Sequence, residues 1–194
     1  LTVSKINTAI KSVEQVPKDI AYVLEESEKV MFDKKEIINL VRSIIKNNPT
    51  IVGTTIAFEP YAFDKKSKYF APYFYRLGQE IKFSYLGVNY AGNIFEDEWY
   101  KAPKDLQGLY WTEPYFDEGG AKILMSTVSM PFYRKVKGER KFMGIITADV
   151  SLEELQTLVS SIKIAKTGYA FLISQQGTFI THPKKPTNFP NNTR

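Results

Sequence analysis

The sequence predicts an α+β fold, an antiparallel sheet flanked by helices. Three observations carry the expectation. Two amphipathic helical stretches lead the chain, apolar β-branched and aromatic runs follow them, and the late runs are joined by hairpin signals such as Lys137-Gly138-Glu139-Arg140.

Residues 3–30 place Val3, Ile6, Ile10, Val13, Ile20 and Leu24 at helical spacing between Lys, Glu and Asn. One long helix is expected, bent at Pro17 where a backbone donor is missing. At roughly 1.5 Å per residue it is longer than a small core needs, so it reads as a stalk that packs on the domain or on a second copy. Asp33 with Glu36 resembles a capping box and opens a helix from Lys34 to Asn47, with Ile37, Ile38, Val41, Ile44 and Ile45 on one side. Asn47-Asn48-Pro49 stops it.

Strands are expected at Ile51–Glu59, Phe70–Arg76 and Ile81–Leu86, the first two separated by the charged surface loop Asp64-Lys65-Lys66-Ser67-Lys68. The stretch that follows, rich in Trp, Tyr and acids, reads as irregular. A strand from Ile123 to Met130, stopped by Pro131, pairs through the hairpin with Phe142–Val150. Ser151 with Glu154 then caps a helix whose buried side is Leu152, Leu155, Leu158 and Val159. Gly168–Ile173 and Gly177–Thr181, joined through Gln175-Gln176-Gly177, form a last hairpin.

The chain has 194 residues, enough for a real core, with 43% apolar and 24% charged residues, the balance of a globular protein. Its formal charge of +5 is spread along the chain, and no zinc-finger or RNA-binding signature accompanies it, so nucleic acid is not expected. There is no cysteine, which excludes disulfides and thiolate metal sites. No apolar run approaches a membrane span. The start at Leu1 inside a helical pattern and the polar, proline-containing end suggest a piece of a longer protein.

Chemistry concentrates between Asn93 and Asp149, which holds both tryptophans. Asp117 follows Tyr115 by two positions, so on a strand both face one way. In Asp117-Glu118-Gly119-Gly120 it is equally an ordinary turn residue. Asp149 closes the apolar run Ile145-Ile146-Thr147-Ala148, where it is either a helix cap or a buried charge. Trp99, Tyr100 and Trp111 fit both core and pocket, as does Tyr73, which alternates with Phe74 and Tyr75. The single histidine, His182, lies outside this region and suits a solvent-exposed or capping role. With no Gly-x-Ser-x-Gly turn and no phosphate loop, catalysis, nucleotide and cofactor are not implied.

Several motifs in order resemble the double Cache sensor domain, the extracytoplasmic part of many bacterial and archaeal receptors. They are Ile56-Ala57-Phe58-Glu59-Pro60, Phe70-Ala71-Pro72-Tyr73, Trp99-Tyr100, Trp111-Thr112-Glu113-Pro114-Tyr115-Phe116-Asp117 and Thr147-Ala148-Asp149-Val150-Ser151-Leu152. Gly168-Tyr169-Ala170-Phe171-Leu172 and Ile180-Thr181-His182-Pro183 continue the series.

The resemblance implies a stalk helix (residues 1–32), a membrane-distal PAS-like ligand-binding subdomain (33–162) and the start of a membrane-proximal one (163–194). It also implies a ligand site. Trp99 and Tyr100 would line the pocket with Tyr73 and Trp111, and Tyr115, Asp117 and Asp149 would hold an ammonium group. In amino-acid-binding members an Arg two positions before the Trp clamps the ligand's carboxylate; that position is Asp97 here. A carboxylate there removes the bidentate partner and adds repulsion, so the resemblance is closest to the amine-sensing branch.

The expectation is therefore a non-enzymatic sensor domain of a membrane-anchored receptor, lying outside the cytoplasm. Its partners would be a small cationic ligand and, through the stalk helix, a second copy. Any enzymatic output, such as a histidine kinase, diguanylate cyclase or phosphatase, would lie outside this chain. An amino-acid or carboxylate sensor using Arg76 or a lysine as clamp, a carbohydrate-active domain, and a purely structural stalk are the alternatives.

Overall fold

Residues 2–27, 32–88, 93–160, 168–174 and 176–182 are described by the structure, a computed structural model. Residues 28–31, the side chains of Val3, Ile6 and Leu158, and Gln175, Pro183 and the boundary near residue 162 lie outside the described residues. The first helix, α1 (Thr2–Glu26), continues through Pro17. Of its apolar stripe, Leu24 is buried and Ile10, Val13 and Ile20 are half-buried, while Tyr22 and Val23 are exposed on the other side. The second helix, α2 (Lys34–Asn47), begins with both bonds of the capping box. Glu36 N donates to Asp33 Oδ1 at 2.8 Å, and Asp33 N donates to Glu36 Oε2 at 2.7 Å. Asn48 ends it by donating its side-chain amide to Ile44 O at 2.8 Å.

Seven strands form one antiparallel sheet: β1 (Gly53–Phe58), β2 (Pro72–Leu77), β3 (Glu80–Tyr85), β4 (Tyr110–Trp111), β5 (Tyr115–Phe116), β6 (Leu124–Val136) and β7 (Glu139–Ser151). Their order is β3-β2-β1-β7-β6-β4, with β5 also on β6. The long β6–β7 hairpin turns at Lys137 and Gly138, whose φ values of +54° and +87° suit the twist of a two-residue hairpin loop. Pro131 was expected to end β6 and does not. It pairs opposite Ile145 beyond Ser129, the last residue that β4 covers, and proline is tolerated at such an edge.

Between β3 and β4 the chain is not irregular, as expected, but forms α3 (Glu98–Leu106), with Pro103 inside it. After β7 comes α4 (Leu152–Ser160), capped by a bond from Glu154 N to Ser151 Oγ at 3.0 Å. A small second sheet follows, β8 (Leu172–Ile173) with β9 (Phe179–Thr181). Ile180 and Leu172 pack against Val150, Leu152 and Leu155 there. His182 is not the exposed or capping residue expected; it is half-buried among the rings of Tyr169, Phe171 and Phe179.

Register decides what each side of the main sheet presents. Gly53 lies opposite Asp149 and Tyr75, Thr55 opposite Tyr73, and Thr127 opposite Asp149. Residues paired in this way share a face. One face therefore carries Gly53, Thr55, Tyr73, Thr127, Thr147 and Asp149. The other carries Ile56, Phe58, Phe74, Phe132 and Ile146, which form the main core with Ala21 and Leu24 of α1 and Ile37, Val41 and Ile45 of α2. Each buried Ile, Leu, Val or Phe side chain among them contributes roughly 1.5–3 kcal/mol.

Candidate functional site

The polar face of the sheet is the floor of a cavity of about 440 Å³. Thr55, Tyr73, Thr147 and Asp149 line the floor. Leu86, Ile94 and Asp97, which lie between β3 and α3, form one wall with Glu98 and Trp99 of the first turn of α3. Thr112, Tyr115 and Asp117 form the other.

Asp149 is central to the floor. Thr127 Oγ1 donates to its Oδ1 at 2.8 Å and Tyr73 Oη to its Oδ2 at 3.1 Å. Because the Thr127 proton is committed to Asp149, the 2.7 Å contact between Tyr115 Oη and Thr127 Oγ1 has the phenol as donor. Asp117 Oδ2 accepts from Ala121 N at 2.7 Å and stands 3.4 Å from the same Tyr73 Oη. One phenol thus bridges two carboxylates.

Two glycines make room for this arrangement. A Cβ at Gly53 would lie 2.3 Å from Asp149 Oδ2 and 2.4 Å from Tyr73 Oη. One at Gly120 would lie 2.6 Å from the Tyr73 ring and 2.7 Å from Asp117 Oδ2. No side chain larger than hydrogen fits at either place without moving the cluster.

The walls add two acids. Asp97 occupies the N-cap position of α3 but makes no side-chain cap bond; its Oδ2 accepts from Trp99 Nε1 at 3.2 Å instead. Glu98 Oε1 accepts from Tyr110 Oη at 2.6 Å and from Glu113 N at 3.3 Å, which ties the start of α3 to β4. Among the described residues no lysine or arginine lines the cavity. No group of three or more His, Cys, Asp or Glu among them is placed to hold a metal ion.

Comparison with known proteins accounts for this architecture. Residues 37–157 match the family model for the methyl-accepting chemotaxis protein-like, first PDC sensor domain. The chain belongs to that family. The PDC sensor domain is 35% identical over 85 residues to the chemotaxis protein PscA of Pseudomonas syringae pv. tomato, a match covering 44% of this chain and 13% of that receptor. Among solved structures, the histidine-kinase extracellular domain mmHK1S-Z3 superposes with a TM-score of 0.74 at 28% identity, over 91% of this chain and 65% of that one. The ligand-binding domain of the Pseudomonas aeruginosa amino-acid chemoreceptor PctB, solved with L-Gln, shares the fold at a TM-score of 0.62 and 20% identity, over 96% of this chain and 66% of that one. The chain thus spans less than two thirds of each of these relatives' own length. It is a sensor domain of the kind that chemotaxis receptors carry, similar to the extracellular domain of a histidine kinase, and no helix among its described residues is long and apolar enough to cross a membrane.

Of the residues expected at the sensor's site, Tyr73, Asp97, Trp99, Tyr115, Asp117 and Asp149 share the cavity. Tyr100 does not. It is fully buried beside Ala57, Ala71, Ile94 and Ile145, and donates its hydroxyl to Glu59 Oε2 at 2.8 Å. Its neighbour Trp99 takes the cavity because adjacent helical residues point about 100° apart. Trp111 also faces away: its Nε1 donates to Glu14 Oε1 of α1 at 3.0 Å. Asp149 is neither cap nor surface turn, since Ser151 does the capping. Asp117 is both turn and wall. The residues not anticipated are Thr55, Leu86, Ile94, Glu98, Thr112 and Thr147, with Thr127 and the two glycines behind them. Cross-strand register, as between Gly53 and Asp149, and the packing of α3 over the sheet bring these together.

Burial sets the electrostatics of the sensor. Asp149 and Asp117 are 3% and 5% exposed. Burial pushes the Asp149 carboxyl up to about 7 with help from the Asp117 charge, against the Thr127 and Tyr73 hydrogen bonds. Asp117 is also raised by burial, against bonds from Ala121, Gly119 and Gly120. Burial raises Asp97 too, against the Trp99 bond. Burial and the two carboxylates hold the Tyr73 phenol well above its usual range, so it stays a donor.

Proposed function

We propose that this sensor domain binds a small organic cation, an amine or a quaternary ammonium compound, between the polar sheet face and α3. The observation that carries this reading is the charge of one cavity. Asp97, Glu98, Asp117 and Asp149 line it, without a lysine or arginine among the described residues. Two buried carboxylates against one phenol repel each other and are poorly solvated; a cation relieves both penalties. The Trp99 face adds a cation–π contact of roughly 0.5–2 kcal/mol, and micromolar affinity, about −8 kcal/mol, is within reach.

The related reading is an amino-acid sensor, which the L-Gln complex of PctB brings to mind. An α-carboxylate needs a guanidinium, and Asp97 stands where the family resemblance places one. Arg76, the alternative clamp, donates Nη2 to Ile45 O at 2.6 Å and Nε to Ile51 O at 3.1 Å, tying β2 to α2 and to the chain just ahead of β1. Signalling would follow from a cation favouring one arrangement of the walls over another. The Trp111–Glu14 bond joins the wall that holds Thr112 and Tyr115 to α1, the helix we assign to dimer contact and to the route toward the membrane. On this reading residues 33–162 are the membrane-distal unit, and β8 with β9 open the next.

Calorimetric titration with L-amino acids and their decarboxylated amines tests the proposal. The amines are expected to bind and the amino acids not. Asp97→Arg is expected to reverse the preference, and amino-acid binding by the unaltered domain without amine binding would overturn the reading.

A further inference from the structure

Resting on the cation reading, we infer that the ligand presents N–H donors to the floor, as a primary ammonium does, and that quaternary ammonium ions are selected against. The buried carboxylates carry the argument. At 3% and 5% exposure, Asp149 and Asp117 are poorly reached by solvent, so whatever sits against them must supply their hydrogen bonds.

A carboxylate has about four acceptor positions. Among the described residues, Asp149 accepts at Oδ1 from Thr127 and at Oδ2 from Tyr73, which leaves about half of its capacity. Asp117, 3.4 Å from the same Tyr73 phenol, accepts from the backbone N–H groups of Ala121, Gly119 and Gly120, so Asp149 is the carboxylate left shorter of donors. Three neighbouring hydroxyl protons are already committed. Thr55 Oγ1 donates to Pro72 O at 2.8 Å, Thr127 to Asp149, and Tyr115 to Thr127. A ligand with N–H groups supplies the donors that Asp149 lacks. A primary ammonium brings three; a trimethylammonium brings only C–H groups.

The rings that would favour a quaternary ion are turned elsewhere. Such ions are held in cages of aromatic faces. Tyr100 and Trp111, which could have built one, point to Glu59 and Glu14. Tyr73 and Tyr115 direct their hydroxyls to the floor, and Trp99 is tethered to Asp97 through its indole N–H. The lining of this site is built from acceptors.

The test compares ions of equal charge and shape. Tert-butylammonium and tetramethylammonium have the same number of heavy atoms and differ in their N–H donors. They would be titrated calorimetrically with a series of n-alkylammonium ions, methyl to hexyl, and their N,N,N-trimethyl counterparts. Primary ions are expected to bind at least about tenfold tighter, equivalent to ~1.4 kcal/mol. Asp149→Asn, and independently Asp117→Asn, should shrink that preference, with melting curves showing both variants folded. Equal or tighter binding of the trimethyl ions overturns this inference and leaves the cation reading standing. Binding by no member of the series overturns both.

Discussion

On one side of the main sheet Ile56, Phe58, Phe74, Phe132 and Ile146 meet α1 and α2; on the other, the same strands present Gly53, Thr55, Tyr73, Thr127, Thr147 and Asp149. The helix side removes apolar area from water and stabilises the fold by amounts that add up residue by residue. The cavity side buries carboxylates and hydroxyls whose bonds are only partly met within the chain, so it subtracts stability until a ligand completes them. Alternation along a strand lets one backbone serve both ends, because neighbouring residues never share a face.

The widest separation between the faces should come from truncating each in turn. Ile146→Ala is expected to cost roughly 2–5 kcal/mol of stability, as buried Ile-to-Ala changes do, with the affinity of the folded fraction unchanged. Gly53→Ala is its mirror. A methyl driven against Asp149 and Tyr73 should weaken amine binding about a hundredfold (~2.8 kcal/mol). Chemical denaturation and calorimetry on both variants read the two effects. Loss of affinity in Ile146→Ala at full folding would mean that the faces are coupled.

A subtler contrast is in pH. Asp149 is raised to about 7 in the folded state, against about 3.9 for an unfolded aspartate. Between those values the folded protein binds more protons than the unfolded one, so stability falls as pH rises from about 4 to about 7. Asp117 shifts in the same direction. The melting temperature without ligand should therefore drop across that window, and Asp149→Asn should flatten the drop and add on the order of 2 kcal/mol at pH 8. Amine affinity should run the other way, rising through pH 7 as the cation displaces the Asp149 proton. Calorimetry in buffers of different ionisation enthalpy would count that proton. A flat melting profile in the unaltered domain would show that Asp149 is not strained by burial.

Residues that act on their immediate neighbours could be read directly. The Asp33–Glu36 capping box, the Lys137-Gly138 turn and the Ser151 cap each depend on a few adjacent positions. The helix α3 could not, since Pro103 and a run of acids and rings disguise its period. The full length of β6 is not legible either, because Pro131 breaks a central strand but not an edge, and which strands are edges is a property of the whole sheet. For the site the division is similar. Asp149 and Asp117 stood out as charges beside apolar or aromatic runs. Trp99 and Tyr100, or Trp111 and Thr112, could not be told apart, because only the tertiary arrangement says which of two adjacent residues faces the cavity. Gly53 carried no local signal at all; its role depends on Asp149 lying opposite it on another strand.

The smallest expected effect concerns Trp111, which stands between the two halves of the comparison. Its ring packs with Val13 and Val16 on the α1 side, its Nε1 reaches Glu14, and the next residue, Thr112, lines the cavity. Trp111→Phe keeps an aromatic ring at the contact and removes the N–H, so the stability cost should be about 0.5–1.5 kcal/mol, one hydrogen bond. Equilibrium affinity for the amine should stay within about twofold, because no group that faces the ligand has changed. Backbone protection in α1 is the informative readout. If the Trp111–Glu14 bond carries the state of the wall to the helix, hydrogen exchange in α1 will respond to ligand in the parent domain and respond less in the variant. An unchanged response would place the coupling elsewhere along the α1–β6 contact. A large loss of affinity would instead show that Trp111 acts on the cavity through Thr112, and the two faces of the sheet would have to be treated as one unit at this edge.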